Sequence, residues 1–181
     1  LEDAVSATGD GNWGRSIRLH EVARGELKLR LEPDAPTRAR IARELDLEGL
    51  PALTADLTVR PWLDGAEIVG RFKATVGQLC SVSAEPFEQP LQGEIEVRVV
   101  PAGSPNAPGE STHEVELEFD APDPPDVLDS DVIDLAAYVV EHLALEIDPF
   151  ARKPGAEFAY EPPTHEESPF AVLKGLKTPK P

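Results

Sequence analysis

Cys80, Ser81 and His142 are the residues with which this chain could do covalent chemistry. A thiol or hydroxyl within hydrogen-bond reach of an imidazole is the arrangement of nucleophilic catalysis, and it would make the protein a hydrolase or RNA-processing enzyme. Separation along the chain says nothing about that reach. Read as a mid-strand residue between Leu79 and Val82, Cys80 is the type of small side chain that is usually buried and inert. Metal chemistry has less to work with. One cysteine and four scattered histidines (His20, His113, His142, His165) offer no zinc-type spacing, so neither a metal nor a cofactor is expected. Gly103, Gly109 and the other glycines stand alone, without the spacing of a phosphate-cradling loop. Glu116 and Glu118 fall on one strand face, where a solvated pair is the simpler reading than an acid/base couple. A non-catalytic binding protein is therefore the stronger class and an enzyme the alternative.

The elements that would position these residues can be read from periodicity. Leu27, Leu29 and Leu31 alternate with Lys28, Arg30 and Glu32 as in a half-buried strand closed by Pro33. Pro36-Thr37 opens an amphipathic helix through Ala39, Ile41, Ala42 and Leu45, with Gly49 in the place of a C-cap. The runs 53–59 and 68–76 predict a hairpin turning at Asp64-Gly65. Further strands are predicted from Ile95 to Val100 and from Val115 to Phe119, the last with one apolar and one carboxylate face. Asp134 stands as N-cap before Leu135, Val139 and Leu143, an i+4 apolar stripe. The fold class that follows is α+β, an antiparallel sheet with a few packed helices and Pro-rich loops. Residues 1–16 read as a flexible N-terminus, 17–150 as the α+β domain, and 151–181 as a C-terminal extension. The clusters Ser104-Pro105-Asn106-Ala107-Pro108, Pro122-Asp123-Pro124-Pro125 and Pro162-Pro163 read as loops.

The formal net charge is −17, and its placement matters more than its size. Residues 85–148 carry seventeen acids against one base, Arg98, a segment that would repel bare phosphate. Nucleic-acid affinity comes largely from Lys and Arg displacing counterions, so the charge favours a basic protein partner over general RNA binding. The same acids would also serve a general acidic adaptor protein. A single cysteine cannot form an internal disulfide, which points to an intracellular, cytoplasmic setting. No stretch approaches the roughly 20 apolar residues of a membrane span, so no membrane partner is expected. With Leu at position 1, the native start and any leader are left open.

Three short segments, in order, resemble the YceD family of large ribosomal RNA subunit accumulation proteins. They are Phe72 through Cys80 to Glu85-Pro86-Phe87, then Ile133-Asp134-Leu135 with Glu141-His142-Leu143-Ala144-Leu145 and Asp148-Pro149-Phe150-Ala151-Arg152-Lys153-Pro154-Gly155, and last Ser168-Pro169-Phe170-Ala171-Val172-Leu173-Lys174-Gly175-Leu176-Lys177. Many members carry Cys-x-x-Cys at the first segment and another cysteine near the end. Here Ser83 occupies the second position and residues 150–181 have none, so no metal or redox role carries over. The resemblance implies a factor supporting accumulation and processing of large-subunit (23S) ribosomal RNA and ribosome assembly.

Its direct ligand would be ribosomal RNA or a basic large-subunit ribosomal protein. Candidate RNA contacts are the basic residues flanking the acidic middle: Lys28, Arg30, Arg38, Arg40 and Arg43 before it, and Arg152 and Lys153 after it. Their use as a patch requires the two groups to meet in space. Phe170, Leu173 and Leu176, at three-residue spacing behind Pro169, are the candidate partner-docking residues, suited to a partner's groove or to this chain's own core. Oligomeric state is not legible.

Overall fold

The computed structural model describes residues 13–108 and 123–158. Five strands form one sheet in the order β2 (Leu27–Leu31), β3 (Gly49–Trp62), β4 (Gly65–Leu79), β5 (Pro86–Pro101) and β6 (Asp126–Leu128). β1 (Ser16–Arg18) and β7 (Val132–Asp134) make a separate antiparallel pair. The helices are α1 (Leu19–Val22), α2 (Ala35–Glu44) and α3 (Leu135–Glu146). The α+β class is as the sequence implies. One pairing departs from it, because β6 runs parallel to β5. A parallel neighbour needs a crossover of about a dozen residues or more, and residues 102–125 provide that length. The predicted strand 115–119 lies outside the described residues. Among those described, no helix is long and apolar enough to cross a membrane.

Alternation divides the sheet into two faces. Leu53, Ala55, Leu57, Val59, Ile68, Phe72, Ala74, Val76, Ile95 and Val99 point inward and join Leu29, Leu31, Ile41, Val139 and Leu143 in one core. α2 packs on β3, and α3 packs on β5 and β4. Phe72 faces Gly93 directly across the β4–β5 ladder. A Cβ at Gly93 would lie 2.6 Å from Phe72 Cε1 and 3.2 Å from Glu146 Cγ, so the missing side chain is what admits the ring beneath α3.

Three local readings need correction. The hairpin turns at Leu63-Asp64, since Trp62 already pairs with Gly65, and Leu63 takes the left-handed φ of 51°. Gly65 is required for close approach instead: a Cβ there would sit 1.8 Å from the Val99 carbonyl oxygen. α2 ends at Glu44, well before Gly49, which begins β3. Asp46 (φ 54°) takes the left-handed position, while Leu47 N–H donates to the Ala42 carbonyl at 2.8 Å and Asp46 N–H to that of Arg43 at 3.4 Å. This is a Schellman end with Asp where Gly is usual. Third, β5 begins nine residues earlier than Ile95, at Pro86, and includes Pro90. A strand proline is tolerated where its nitrogen faces away from the neighbouring strand, and among the described residues no strand lies on that side of β5 there.

α3 starts behind the Asp134 cap as the sequence predicts, and α2 starts at Ala35, one residue before Pro36, behind an Asp34 cap. Asp34 Oδ1 accepts from Thr37 N–H at 2.9 Å, and Asp134 Oδ1 from Ala137 N–H at 3.1 Å. Leu135, Val139 and Leu143 form the buried stripe of α3.

Candidate functional site

The outer face of the sheet carries charge in cross-strand rows. Arg30 lies opposite Asp56, Asp56 opposite Arg71, and Arg71 opposite Glu94. Alternating signs at this separation attract across each rung. Four residues nearer the hairpin on each strand, Arg60, Glu67 and Arg98 form a second row. Glu67, only 6% exposed, is the one charged residue among the buried side chains described. Arg60 Nε donates to its Oε2 at 2.6 Å and Arg98 Nε to its Oε1 at 3.1 Å. The Arg60 hydrogen bond, aided by that of Arg98, holds the Glu67 carboxyl below its ordinary range against the opposing effect of burial. Arg98 also stacks 5.5 Å from the Trp62 ring centroid and reaches Glu96 Oε1 at 3.4 Å. The lone base of the acidic middle is thus committed to structure. Composition alone did not reveal this cluster, although a hairpin register placing Arg60 opposite Glu67 would have.

Beside this row, β5, α3 and the segment entering β6 enclose an open cleft of about 650 Å³. Glu96, Asp123, Asp126 and Glu141 supply its carboxylates, and Tyr138, His142 and Leu145 its α3 wall. Tyr138 Oη donates to Asp126 Oδ2 at 3.1 Å. Burial, with the Asp126 carboxylate beside it, pushes the phenol far above its usual range, so it remains a donor. His142 Nδ1 lies 2.9 Å from the Tyr138 carbonyl oxygen, a geometry that places the proton on Nδ1. The arrangement suits cationic groups.

Cys80 is not mid-strand. It follows the end of β4 and opens the turn 81–84, where it is nonetheless 2% exposed. Its N–H donates to the Glu85 carbonyl, its carbonyl accepts from Ala84 N–H, and Ala84 takes a left-handed φ of 55°. Cys80 Sγ accepts from the backbone N–H of Ser83 and of Lys153, both at 3.4 Å. These hydrogen bonds, Ser83 contributing most through hydroxyl and backbone and Lys153 next, bring the thiol down to about 6 in spite of burial. The same turn holds the chain after α3. Ser81 Oγ donates to the Phe150 carbonyl at 3.0 Å, Ser81 N–H to that of Ala151 at 2.9 Å, and Lys153 Nζ bonds Glu85 Oε2 at 2.9 Å.

The structure separates the alternative catalytic pair. His142 lines the cleft beside Val97, which pairs with Ile68, while Cys80 lies beyond the far end of β4. His142 Nδ1 is engaged by the Tyr138 carbonyl, whereas Cys80 Sγ is engaged by the N–H groups of Ser83 and Lys153. No group of three or more His, Cys, Asp or Glu positioned to hold a metal occurs among the described residues.

Most of the predicted RNA contacts already have partners. Lys28 Nζ lies 3.2 Å from Glu26, Arg30 3.6 Å from Asp56, and Arg40 3.9 Å from Glu44. Arg38 Nη1 donates to the Pro33 carbonyl at 2.8 Å and Arg43 Nε to that of Ala39 at 3.2 Å. Arg38 and Arg43 border a hollow with Gly49 and Pro51. Gly49 pairs with Gly77, three residues before Cys80. α2 therefore shares one end of the sheet with Arg152 and Lys153, while Lys28 and Arg30 project from the outer face of β2. Phe170, Leu173 and Leu176 lie outside the described residues.

Residues 68–177 match the family described as Large ribosomal RNA subunit accumulation protein YceD. No curated protein and no solved structure matches the chain. The matched span takes in β4 from Ile68 onward, β5, β6, β7, α3 and the Cys80 turn, and so contains every wall of the acidic cleft. It covers more than half of the 181 residues, and the chain belongs to the YceD family.

Proposed function

We propose that this protein is a non-catalytic factor of large-subunit ribosome assembly, working in the cytoplasm by holding a basic ribosomal protein so that large-subunit RNA accumulates. Family membership supports the ribosomal setting. The observation that carries the choice of ligand is the cleft, where Glu96, Asp123, Asp126 and Glu141 converge. Across the sheet the basic side chains are mostly spent on carboxylates of this chain. Complementary potential of this kind steers a cationic partner to its site and gives a strong salt dependence.

RNA contact through Arg38, Arg43 and Arg152 is the second reading, favoured by their sharing one end of the sheet. Zero-length crosslinking of carboxylates to amines in a native lysate, followed by identification of the joined peptides, separates the two. Crosslinks from Glu96, Asp126 or Glu141 to a lysine of a large-subunit protein are expected. Photo-crosslinks from α2 to RNA, with none from the cleft, would reverse the assignment.

A further inference from the structure

β5 is paired with β4 from Pro86 to Val99, but its other side meets β6 only at Val99–Pro101. Among the described residues no strand lies beside Pro86–Arg98 on that side. The Val99 carbonyl oxygen points toward β4, since it is what a Cβ on Gly65 would strike. By the two-residue period of a strand, the backbone groups of Gln92, Glu94, Glu96 and Arg98 then face the open side, together with the nitrogens of Pro86 and Pro90. The prolines blunt the first part of this edge, which leaves Leu91–Arg98 able to pair.

Carboxylates border that stretch on both faces. Glu94 and Glu96 stand on the outer face of β5. Glu141 and Glu146 belong to α3, which packs on the inner face, and Asp123 and Asp126 close the end at β6. Arg98 on β5 is engaged by Glu67 and Glu96, and Arg71 and Lys73 of β4 lie opposite Glu94 and Gln92, on the paired side of the strand.

We propose that β5 receives an extended, lysine- or arginine-rich protein segment as an added antiparallel or parallel strand along Leu91–Arg98, with its cations lying among these carboxylates. Strand addition takes affinity from main-chain hydrogen bonds and selectivity from the flanking side chains. The inference deepens the reading above, since it states how the basic client is held.

The test uses the full chain and a fluorescent peptide of about eight residues, the length of Leu91–Arg98, alternating lysine and valine. A second peptide carries methyl groups on alternate backbone nitrogens. Amide hydrogen exchange should show Glu94 and Glu96 becoming protected on binding. The methylated peptide should bind about tenfold more weakly, as should the native peptide to Glu94→Pro, because each removes edge hydrogen bonds. Retained protection of the Ile95 and Val97 amides shows that Glu94→Pro is still folded, and the methylated peptide needs no variant at all.

Equal binding of both peptides, or protection confined to other elements, overturns the proposal. So does strong protection of the Glu94 and Glu96 amides in the free chain, which would mean that a segment of this chain already fills the edge. Should Glu94→Pro still crosslink to a ribosomal protein in lysate, strand addition fails while the assembly role stands. Peptide binding without any ribosomal crosslink gives the converse.

Discussion

Arg98 reaches from β5 to Glu67 on β4, its Nε 3.1 Å from the carboxylate oxygen, while its guanidinium covers the Trp62 ring. Glu67→Gln keeps the shape and removes the charge that both arginines require. Breaking a buried pair leaves unpaired charge; because Arg60 is half exposed, the expected loss is about 2 kcal/mol, below that of a fully buried pair. Urea unfolding followed by Trp fluorescence measures it. The folded carboxyl titrates below its unfolded value. Its stabilisation is therefore present above the ordinary Glu range and lost as pH falls through the lower, folded value. The Gln variant should lack that part of the acid sensitivity.

Asp134 ends β7 and caps α3, so one substitution tests both sequence reading and structure. Asp134→Ala removes the bond to Ala137 N–H and should destabilise the fold by about 1 kcal/mol. Asp134→Asn should restore most of it in the same unfolding assay.

Gly93 is held by the Phe72 ring and not by a turn. Gly93→Val should cost about 1–3 kcal/mol through overpacking, although valine is the better strand former. If the melting temperature rises instead, Phe72 has room to move and the packing argument is wrong.

Cys80 should titrate near pH 6, seen as thiolate absorbance in the ultraviolet, and should alkylate slowly because it is buried. Its folded value is depressed from the ordinary 9.0. The stabilisation it contributes is present above that unfolded value and fades as pH falls through about 6. Replacing Ser83 by Ala should move the titration upward, since Ser83 supplies the largest share of the stabilising hydrogen bonds.

What could be read from sequence were features set by near neighbours. The leucine alternation of β2, the 53–76 hairpin and the Asp134 cap each depend on residues a few positions apart, and each is present. What could not be read depends on distant chain. Gly49 reads as a helix end because glycine is the usual left-handed residue, yet Asp46 fills that role and Gly49 sits against Gly77. Pro86 and Pro90 hide the first half of β5 from a sequence reading, although among the described residues no strand needs a donor on the side their nitrogens face. The candidate basic residues are legible in the sequence as charges alone. Their pairing with Asp56, Glu44 and Glu85 follows only from sheet register, helix turn and the Cys80 loop. The sequence shows an acidic segment but no cleft, because Tyr138, Asp126 and Glu96 come from three elements.

The central claim is that the carboxylates of the β5–α3 cleft hold a basic component of the large subunit. The most direct test is sedimentation of a cell lysate through a sucrose gradient at low and high salt, comparing the native chain with a Glu96→Gln, Asp126→Asn, Glu141→Gln triple variant. Near-ultraviolet circular dichroism confirms the variant's fold. The account predicts that the native chain sediments with large-subunit precursors at low salt and leaves them at high salt, while the variant stays at the top of the gradient in both. Equal sedimentation of the two proteins with the precursors, or neither protein leaving the top at any salt, would contradict it.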